Sequence, residues 1–339
     1  MNIVFTICSN NYLAQARVLG QSVKAHVEGA TFIIVLVDKK VSQIDYTAIP
    51  FEVLPVELIE PQIDQLSYRY DIIELNTCVK PRVFEYLFET RGVEKIAYLD
   101  PDIRLYSEMS DLEGALSDSE IVLTPHIVTA IPLDDRAPGE KTFLTFGLYN
   151  LGFIALRRGD ETSKLIKWWK ERTYSHGYRR PDLGTFVDQL CMNLVPILFQ
   201  HVSILRHVGY NMAPWNLHER YLGRVGSGYR VNESSRLVFF HFSGHRIDSG
   251  ELPGNYNRFS LRQRPDLVEL VRDYNDELKD AGYSNYSKVS CAYVDQRAKY
   301  LGRDGSMWKC KAFCKRAIKG IARLLPDSLR HGISRAMAD

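Results

Sequence analysis

Residues Thr31–Val37 (TFIIVLV) carry no polar side chain after the first position, and the run stops at Asp38. A strand of that kind offers no face to water, so it belongs inside a parallel sheet covered on both sides. The flanking sequence alternates to match. Asn2–Ile7 reads as a short strand, Asn10 and Asn11 as a turn, and Tyr12–His26 as a helix with Leu13, Ala16, Leu19 and Val23 at helical spacing. A shorter strand pattern spans Phe51–Leu58, Val79–Glu89 reads as a helix opened by Pro81, and Lys95–Leu99 is a further buried strand. Strands joined by crossover helices predict an α/β sheet.

Beyond Asp111 the pattern is mixed. Short strands are expected at Ile121–Thr124, Phe153–Leu156 and Val238–Phe242, and helices over Thr162–Glu171 and Phe186–Leu194. Thr129–Lys141, with Pro132, Pro138 and Gly139, predicts a mobile loop. Pro265–Ala281 reads as a polar amphipathic helix, and a tail begins near Arg303.

Composition sets outer limits. At 339 residues, 45% hydrophobic and 25% charged, the chain can bury a full core, in one large domain with an appendage or in two. No apolar run reaches bilayer-spanning length and the N-terminus lacks a secretory pattern, so a cytoplasmic protein is expected. Six cysteines without framework spacing are expected as thiols. Cys310 and Cys314 lack the further ligands of a zinc site and read as thiols on a helix face. Net charge is +2, but from Lys309 onward eight basic residues face two acidic ones, which leaves the body near −4. Confinement of positive charge to the tail argues against nucleic-acid binding.

Chemistry concentrates where Lys95–Leu99 ends. Asp100-Pro101-Asp102 places two carboxylates at i and i+2, on one side of an extended chain. Ligands of open α/β sheets bind at the carboxyl ends of strands. Two hard oxygen donors there suit Mn²⁺ or Mg²⁺, and a turn with two solvated acids is the alternative. The later strand Val238–Phe242 delivers His241 among phenylalanines, followed by Ser243 and Gly244. A buried histidine needs a partner, and a metal holding two carboxylates supplies one; a hydrogen-bonded core histidine is the alternative.

A series of segments follows in a fixed order. It begins with Thr6-Ile7-Cys8-Ser9-Asn10-Asn11-Tyr12 and Val18-Leu19-Gly20-Gln21-Ser22, and continues through Lys80 and Asp100-Pro101-Asp102. Tyr149-Asn150-Leu151-Gly152-Phe153, Val187-Asp188-Gln189, Gly209-Tyr210-Asn211 and His241-Phe242-Ser243-Gly244 complete it. In content and order these segments, spanning Asn2–Gly244, resemble the retaining glycosyltransferases of the glycogenin and lipopolysaccharide glucosyl- and galactosyltransferase group, glycosyltransferase family 8. The resemblance implies the GT-A fold: a Rossmann-like nucleotide-sugar-binding sheet of mixed strands flanked by helices, over residues 1–260. A helical extension would occupy 261–300 and a basic tail 301–339.

The resemblance also implies roles. Ile7, Ser9, Asn10 and Tyr12 would surround the nucleoside, and Asp100, Asp102 and His241 would hold the metal. Lys80, Asn150, Gly152 and Gly244 would contact the donor phosphates and sugar. Asp188 and Gln189 would stand near the anomeric carbon, with Lys80 sharing in catalysis, and Tyr210 and Asn211 on the acceptor side. The chain departs from the pattern in three places: one residue is deleted before Tyr12, Leu151 replaces a small polar residue, and His245-Arg246-Ile247-Asp248 replaces Lys-Pro-Trp. Arg246 is the candidate to restore the lost positive charge at the diphosphate. Trp215 and His218, in Trp-Asn-Leu-His-Glu-Arg, suit a sugar platform for the acceptor; a core tryptophan and a Glu219–Arg220 surface pair are the alternative.

These readings predict a metal-dependent hexosyltransferase that takes a nucleotide sugar, a UDP-sugar by resemblance, to a glycan or lipid-linked acceptor in surface polysaccharide assembly. Asp188 is either nucleophile or oxocarbenium stabiliser, or else a structural ion-pair partner. Residues 308–325 place apolar and basic residues on opposite helical faces, which suits an anionic membrane surface, a packing helix or a dimer contact. Two other functions fit the same features. A sugar-1-phosphate nucleotidyltransferase would need a Gly-rich, Arg-containing loop where Ser9-Asn10-Asn11 stands. A silent nucleotide-sugar or glycan-binding module would bind without turnover.

Overall fold

The computed structural model describes residues 1–226, 228–247 and 249–301. Its strands include β1 (Ile3–Cys8), β2 (Thr31–Leu36), β3 (Glu52–Pro55), β4 (Lys95–Leu99), β5 (Ile103–Leu105), β6 (Ile121–Pro125), β7 (Tyr149–Arg157) and β8 (Val202–Ile204). Among the described residues all of these except β5 join one seven-stranded sheet, in the order β8-β6-β7-β4-β1-β2-β3. Only β7 runs against its neighbours β4 and β6, so the sheet is mixed.

Burial on both faces explains the unbroken apolar strands. Ile3, Phe5 and Ile7 of β1 pack in one cluster with Phe84 and Leu87 of α4 (Lys80–Arg91) and with Leu165 and Trp169 of α7 (Asp160–His176). Val4 and Cys8 point the other way, against Leu13 and Leu19 of α1 (Leu13–His26) and Leu112 and Leu116 of α5 (Ser110–Asp118). Successive side chains of a strand alternate in direction, so two covering layers require apolar residues at every position. The remaining early helices are α2 (Ile63–Arg69), α3 (Ile72–Cys78) and α6 (Glu140–Phe146).

Topology locates the crevice. From β1 the chain steps outward to β2 and β3, then returns to lay β4 against the opposite edge of β1. The segments leaving the carboxyl ends of β1 and β4 therefore diverge, which is where open α/β sheets accept ligands.

Several expectations change in detail. The Phe51–Leu58 strand stops at Pro55, which has no N–H to donate to a ladder, and Val56–Leu58 is a 3₁₀ turn. Phe186–Leu194 is not a helix: only Cys191–Leu194 forms a 3₁₀ turn, followed by a short helix at Val195–Leu198. Val187 adopts φ 44°, which a helix cannot include, and turns Asp188 inward to a buried ion pair with Lys80. The Thr129–Lys141 loop is irregular until α6 begins, but it is fastened. Glu219 accepts from the Val128 and Thr129 N–H groups, and Arg258 pairs with Asp134.

After β9 (Phe239–His241), the helical extension packs on the body through α8 (Val268–Asp280), which buries Leu270, Tyr274 and Leu278. Tyr274 stacks on Phe242 with ring centroids 3.7 Å apart, and Glu277 takes Arg104 in two hydrogen bonds. The last described helix is α9 (Ala292–Tyr300). Cys310, Cys314 and the amphipathic stretch 308–325 lie outside the described residues. No helix among the described residues is long and apolar enough to cross a membrane.

Trp169 is fully buried between α7 and the sheet. Trp169→Ala is expected to lower the unfolding free energy by about 3–5 kcal/mol through the cavity it leaves, measured by urea denaturation.

Candidate active site

Asp100-Pro101-Asp102 links β4 directly to β5, and β5 pairs antiparallel with β9 so that His241 lies opposite Ile103. That register sets the imidazole beside both carboxylates. Nε2 of His241 is 3.2 Å from Asp102 Oδ1 and 3.7 Å from Asp100 Oδ2. Ligand atoms of the three residues lie within 4.8 Å of one another. Backbone bonds hold the arrangement from both sides: Phe242 N–H donates to the Asp102 carbonyl and His241 N–H to the Met212 carbonyl, each at 2.8 Å.

The residues fit a hard divalent cation. Two carboxylates and one imidazole are donors that Mn²⁺ or Mg²⁺ accepts, with positions left for water and phosphate oxygens. Nδ1 of His241 faces Asn211 Oδ1 at 3.3 Å; a proton donated there leaves the Nε2 lone pair toward the carboxylates. Room for the cluster comes from Gly152. A Cβ at that position would stand 2.5 Å from His241 Cε1 and 2.7 Å from Asp100 Oδ2.

Electrostatics follow from burial and charge. Burial alone would lower the His241 pKa, but Asp102 and Asp100 outweigh it and hold the pKa above its ordinary value. Burial raises Asp100 above the usual carboxylate range, against the opposing pull of Lys80 and His241. Tyr98, two residues before Asp100 on the same side of β4, donates its hydroxyl to Asp100 Oδ1.

A polar layer supports the triad from beneath. Asn211, at φ 56°, donates to Asn150 Oδ1 at 3.0 Å, and Asn150 donates to His126 Nε2 at 3.3 Å. His126 is pushed down to about 4 by burial, so its imidazole is neutral, with Nδ1 turned to the Leu148 carbonyl. Trp215 packs edge-on against both His241 and His126 and donates its indole N–H to the His126 carbonyl.

Beside this layer lies a second charge centre. Lys80, 1% exposed, sits 2.8 Å from Asp188 Oδ2, donates to the Leu151 carbonyl at 2.9 Å and stands 4.4 Å over the Tyr98 ring. Burial raises Asp188 although Lys80 opposes it. Gln189 is committed on both ends: Oε1 accepts from Leu151 N–H at 3.2 Å and Nε2 donates to the Phe146 carbonyl at 2.8 Å.

In the crevice between β1 and β4, Ile7, Ser9 and Tyr12 line a cleft of about 450 Å³ together with Asp100 and Asp102. Other expected site residues lie elsewhere in the structure. Asn10 is fully buried and turned away: its side chain donates to the Lys39 carbonyl and accepts from the Tyr46 hydroxyl, while the following Asn11 faces the cleft. Tyr210 lies in the core against Phe153 and Phe239, with its hydroxyl accepting from Leu112 N–H. Trp215 is 3% exposed and forms the wall behind His241 instead of an open platform. His218 stands beside Glu219, in the group that fastens the Thr129 loop. Gly244, at φ 70°, and the exposed Arg246 occupy the turn after β9, outside the cleft lining.

Residues that sequence reasoning did not single out are Asn11, Tyr98 and His126. Tyr98 carried a signal, since Tyr98, Asp100 and Asp102 alternate at spacing two. His126 carried none, being a single histidine after a strand.

No protein-family model matches the chain. It is 25% identical over 248 residues to the uncharacterized protein YfnF of Bacillus subtilis (strain 168), covering 72% of this chain and 82% of that protein. A second Bacillus subtilis (strain 168) protein, the uncharacterized YfnD, is 20% identical over 253 residues, covering 71% and 77%. Among solved structures, the galactosyltransferase LgtC in complex with donor and acceptor sugar analogs is similar over 83% of this chain and 96% of its own, at 17% identity and TM-score 0.49. The glycosyltransferase GlyE of Streptococcus pneumoniae TIGR4 is similar over 85% and 66%, at 14% identity and TM-score 0.45.

Gly152→Ala is expected to weaken Mn²⁺ binding by about 10–100-fold, read by electron paramagnetic resonance of bound manganese. Gly139→Ala, where an added Cβ meets nothing within 4 Å, is expected to bind as the native protein does. A pH dependence also follows. Because the folded-state pKa of His241 is raised in the metal-free protein, its ion pairing stabilises fully below the unfolded pKa of about 6.5 and is lost as pH rises through the folded value. In chelator, the stability difference between native protein and His241→Gln should be larger near about pH 5.5 than near about pH 9 by urea denaturation; equal differences would contradict the assigned ion pair.

Proposed function

We propose that the chain is a metal-dependent glycosyltransferase of GT-A type, moving a hexose from a nucleotide sugar, with UDP-sugar as the first candidate, to a glycan or lipid-linked acceptor with retention of configuration. One observation carries the reading: His241, from a distant part of the chain, meets Asp100 and Asp102, and these two aspartates line a cleft at the sheet's switch point. A cleft of this size accommodates a nucleotide-sized ligand. The ordered motifs between Asn2 and Gly244 agree with it, as does the absence of a Gly-rich loop after β1.

Asp100, Asp102 and His241 would hold a divalent cation, which would supply Lewis acidity to a departing diphosphate. The chain's own residues do the rest. Ser9, Asn11 and Tyr12 hold the nucleoside portion against the segment after β1. Lys80 pairs with Asp188 and opposes, at both Asp188 and Asp100, the upward shift that burial imposes. In this reading Asp188 faces the anomeric centre, as nucleophile or as stabiliser of an oxocarbenium-like state, and the Asn150–Asn211 pair fixes the imidazole for metal binding. Buried support of this kind limits reorganisation as charge develops. The basic stretch 308–325 would bring the catalyst to an anionic membrane surface that carries a lipid-linked acceptor.

Purified protein with Mn²⁺ and a panel of nucleotide sugars is expected to hydrolyse or transfer one of them, measured by release of nucleoside diphosphate, and to stop in chelator. Asp102→Asn and Asp188→Asn should each cut turnover by at least about 100-fold with the fold retained. Nucleotide binding with no turnover under any donor would instead make the chain a binding module.

A further inference from the structure

One wall of the cleft comes from the far end of the chain. From Asp100 and Asp102 the cleft passes Ser9, Asn11 and Tyr12 and ends against Val289, Ser290, Cys291, Val294 and Asp295. α3 contributes Ile73, Asn76 and Thr77 to the same cleft. The wall residues follow the segment Asn2–Gly244 that carries the ordered motifs, so this part of the cleft belongs to the helical extension.

A single buried carboxylate holds the wall in place. Asp38, at the end of the β2 run, is 1% exposed. Its Oδ1 accepts from the Ala292 N–H and the Lys39 N–H, each at 2.8 Å, and its Oδ2 accepts from the Asn10 N–H at 3.1 Å. Asn10 lies between Ser9 and Asn11 of the cleft, and Ala292 opens the helix that bears Val294 and Asp295. Asp38 therefore ties two walls of the cleft to one point. Cys291 and Tyr293 are buried beneath α9, which leaves Val294, 43% exposed, and Asp295 outward on the cleft side.

The two walls differ from the triad in chemistry. Val294, Ile73 and Tyr12 offer apolar and aromatic surface to a flat heteroaromatic base. Ser290, Asp295 and Asn11 offer donors and acceptors to ribose hydroxyls. We propose that Val289–Asp295 is a wall of the nucleoside pocket and that Asp38 is its positioning residue, an inference that rests on reading the cleft as a nucleotide-sugar site.

The test is calorimetric titration of the full chain with UDP, ADP, GDP and CDP in the presence of Mn²⁺, and with Mn²⁺ alone. Val294→Trp, Asp295→Ala and Asp38→Ala should weaken the best-bound nucleotide by about tenfold or more and leave Mn²⁺ affinity within about twofold. With the active donor, the loss should fall on KM more than on kcat. If Asp38→Ala does not fold, judged by circular dichroism, Val294→Trp and Asp295→Ala, both at exposed positions, decide the question. Native-like nucleotide affinity in Val294→Trp and Asp295→Ala overturns this inference while leaving the transferase reading intact. Mn²⁺ binding without affinity for any of the four nucleotides overturns both.

Discussion

Three pairs of facing residues between β5 and β9 decide where His241 goes. Side chains alternate along a strand, so a slip of one residue in that ribbon would send the imidazole to the opposite face and leave the two aspartates without a third ligand. So short a ribbon does not hold its own register. Here the holding groups are the Phe242 N–H on the Asp102 carbonyl and the His241 N–H on the Met212 carbonyl. Added to these are the Tyr274–Phe242 stack and the Arg104–Glu277 pair from α8. The helical extension is thus part of what brings His241 to the two aspartates.

Charge inside the body is arranged with the same economy. Lys80, Asp188 and His241 are buried, Asp100 is partly so, and each charge has an opposite neighbour. Unpaired, any of them would be driven to neutrality by burial. Beneath them, Asn211, Asn150 and neutral His126 form a chain of donors and acceptors that needs no ionised member. Non-glycine residues in the left-handed region, Val187 and Asn211, flank this set and aim Asp188 and the Asn211 amide inward. Backbone held in such unfavourable conformations at a site is a common mark of pre-organisation.

Local pattern made much of this visible in the sequence. The apolar strands β1, β2 and β4, the Pro81 helix start and the Asp-Pro-Asp turn are short-range signals, and the structure contains each of them. His241 could be singled out because a polar ring among phenylalanines demands a partner. What stayed hidden depends on contacts between distant segments. Apolar spacing made Phe186–Leu194 look helical, and nothing local reveals that Lys80 draws Asp188 inward through a left-handed Val187. Asn10 and Asn11 are chemically identical, and only Asp38, Lys39 and Tyr46 decide which of them turns away from the cleft. Tyr210, on the acceptor side by resemblance, packs in the core, and Trp215, whose surroundings suit a sugar platform, forms the wall behind His241.

Diffraction from crystals grown with Mn²⁺ and the best-bound nucleoside diphosphate, collected at a wavelength where manganese scatters anomalously, addresses the central claim directly. One strong anomalous peak is expected at bonding distance from Asp100, Asp102 and His241 Nε2, with diphosphate oxygens completing its shell. Manganese bound elsewhere, or an imidazole turned from both carboxylates with the nucleotide seated away from them, would contradict it.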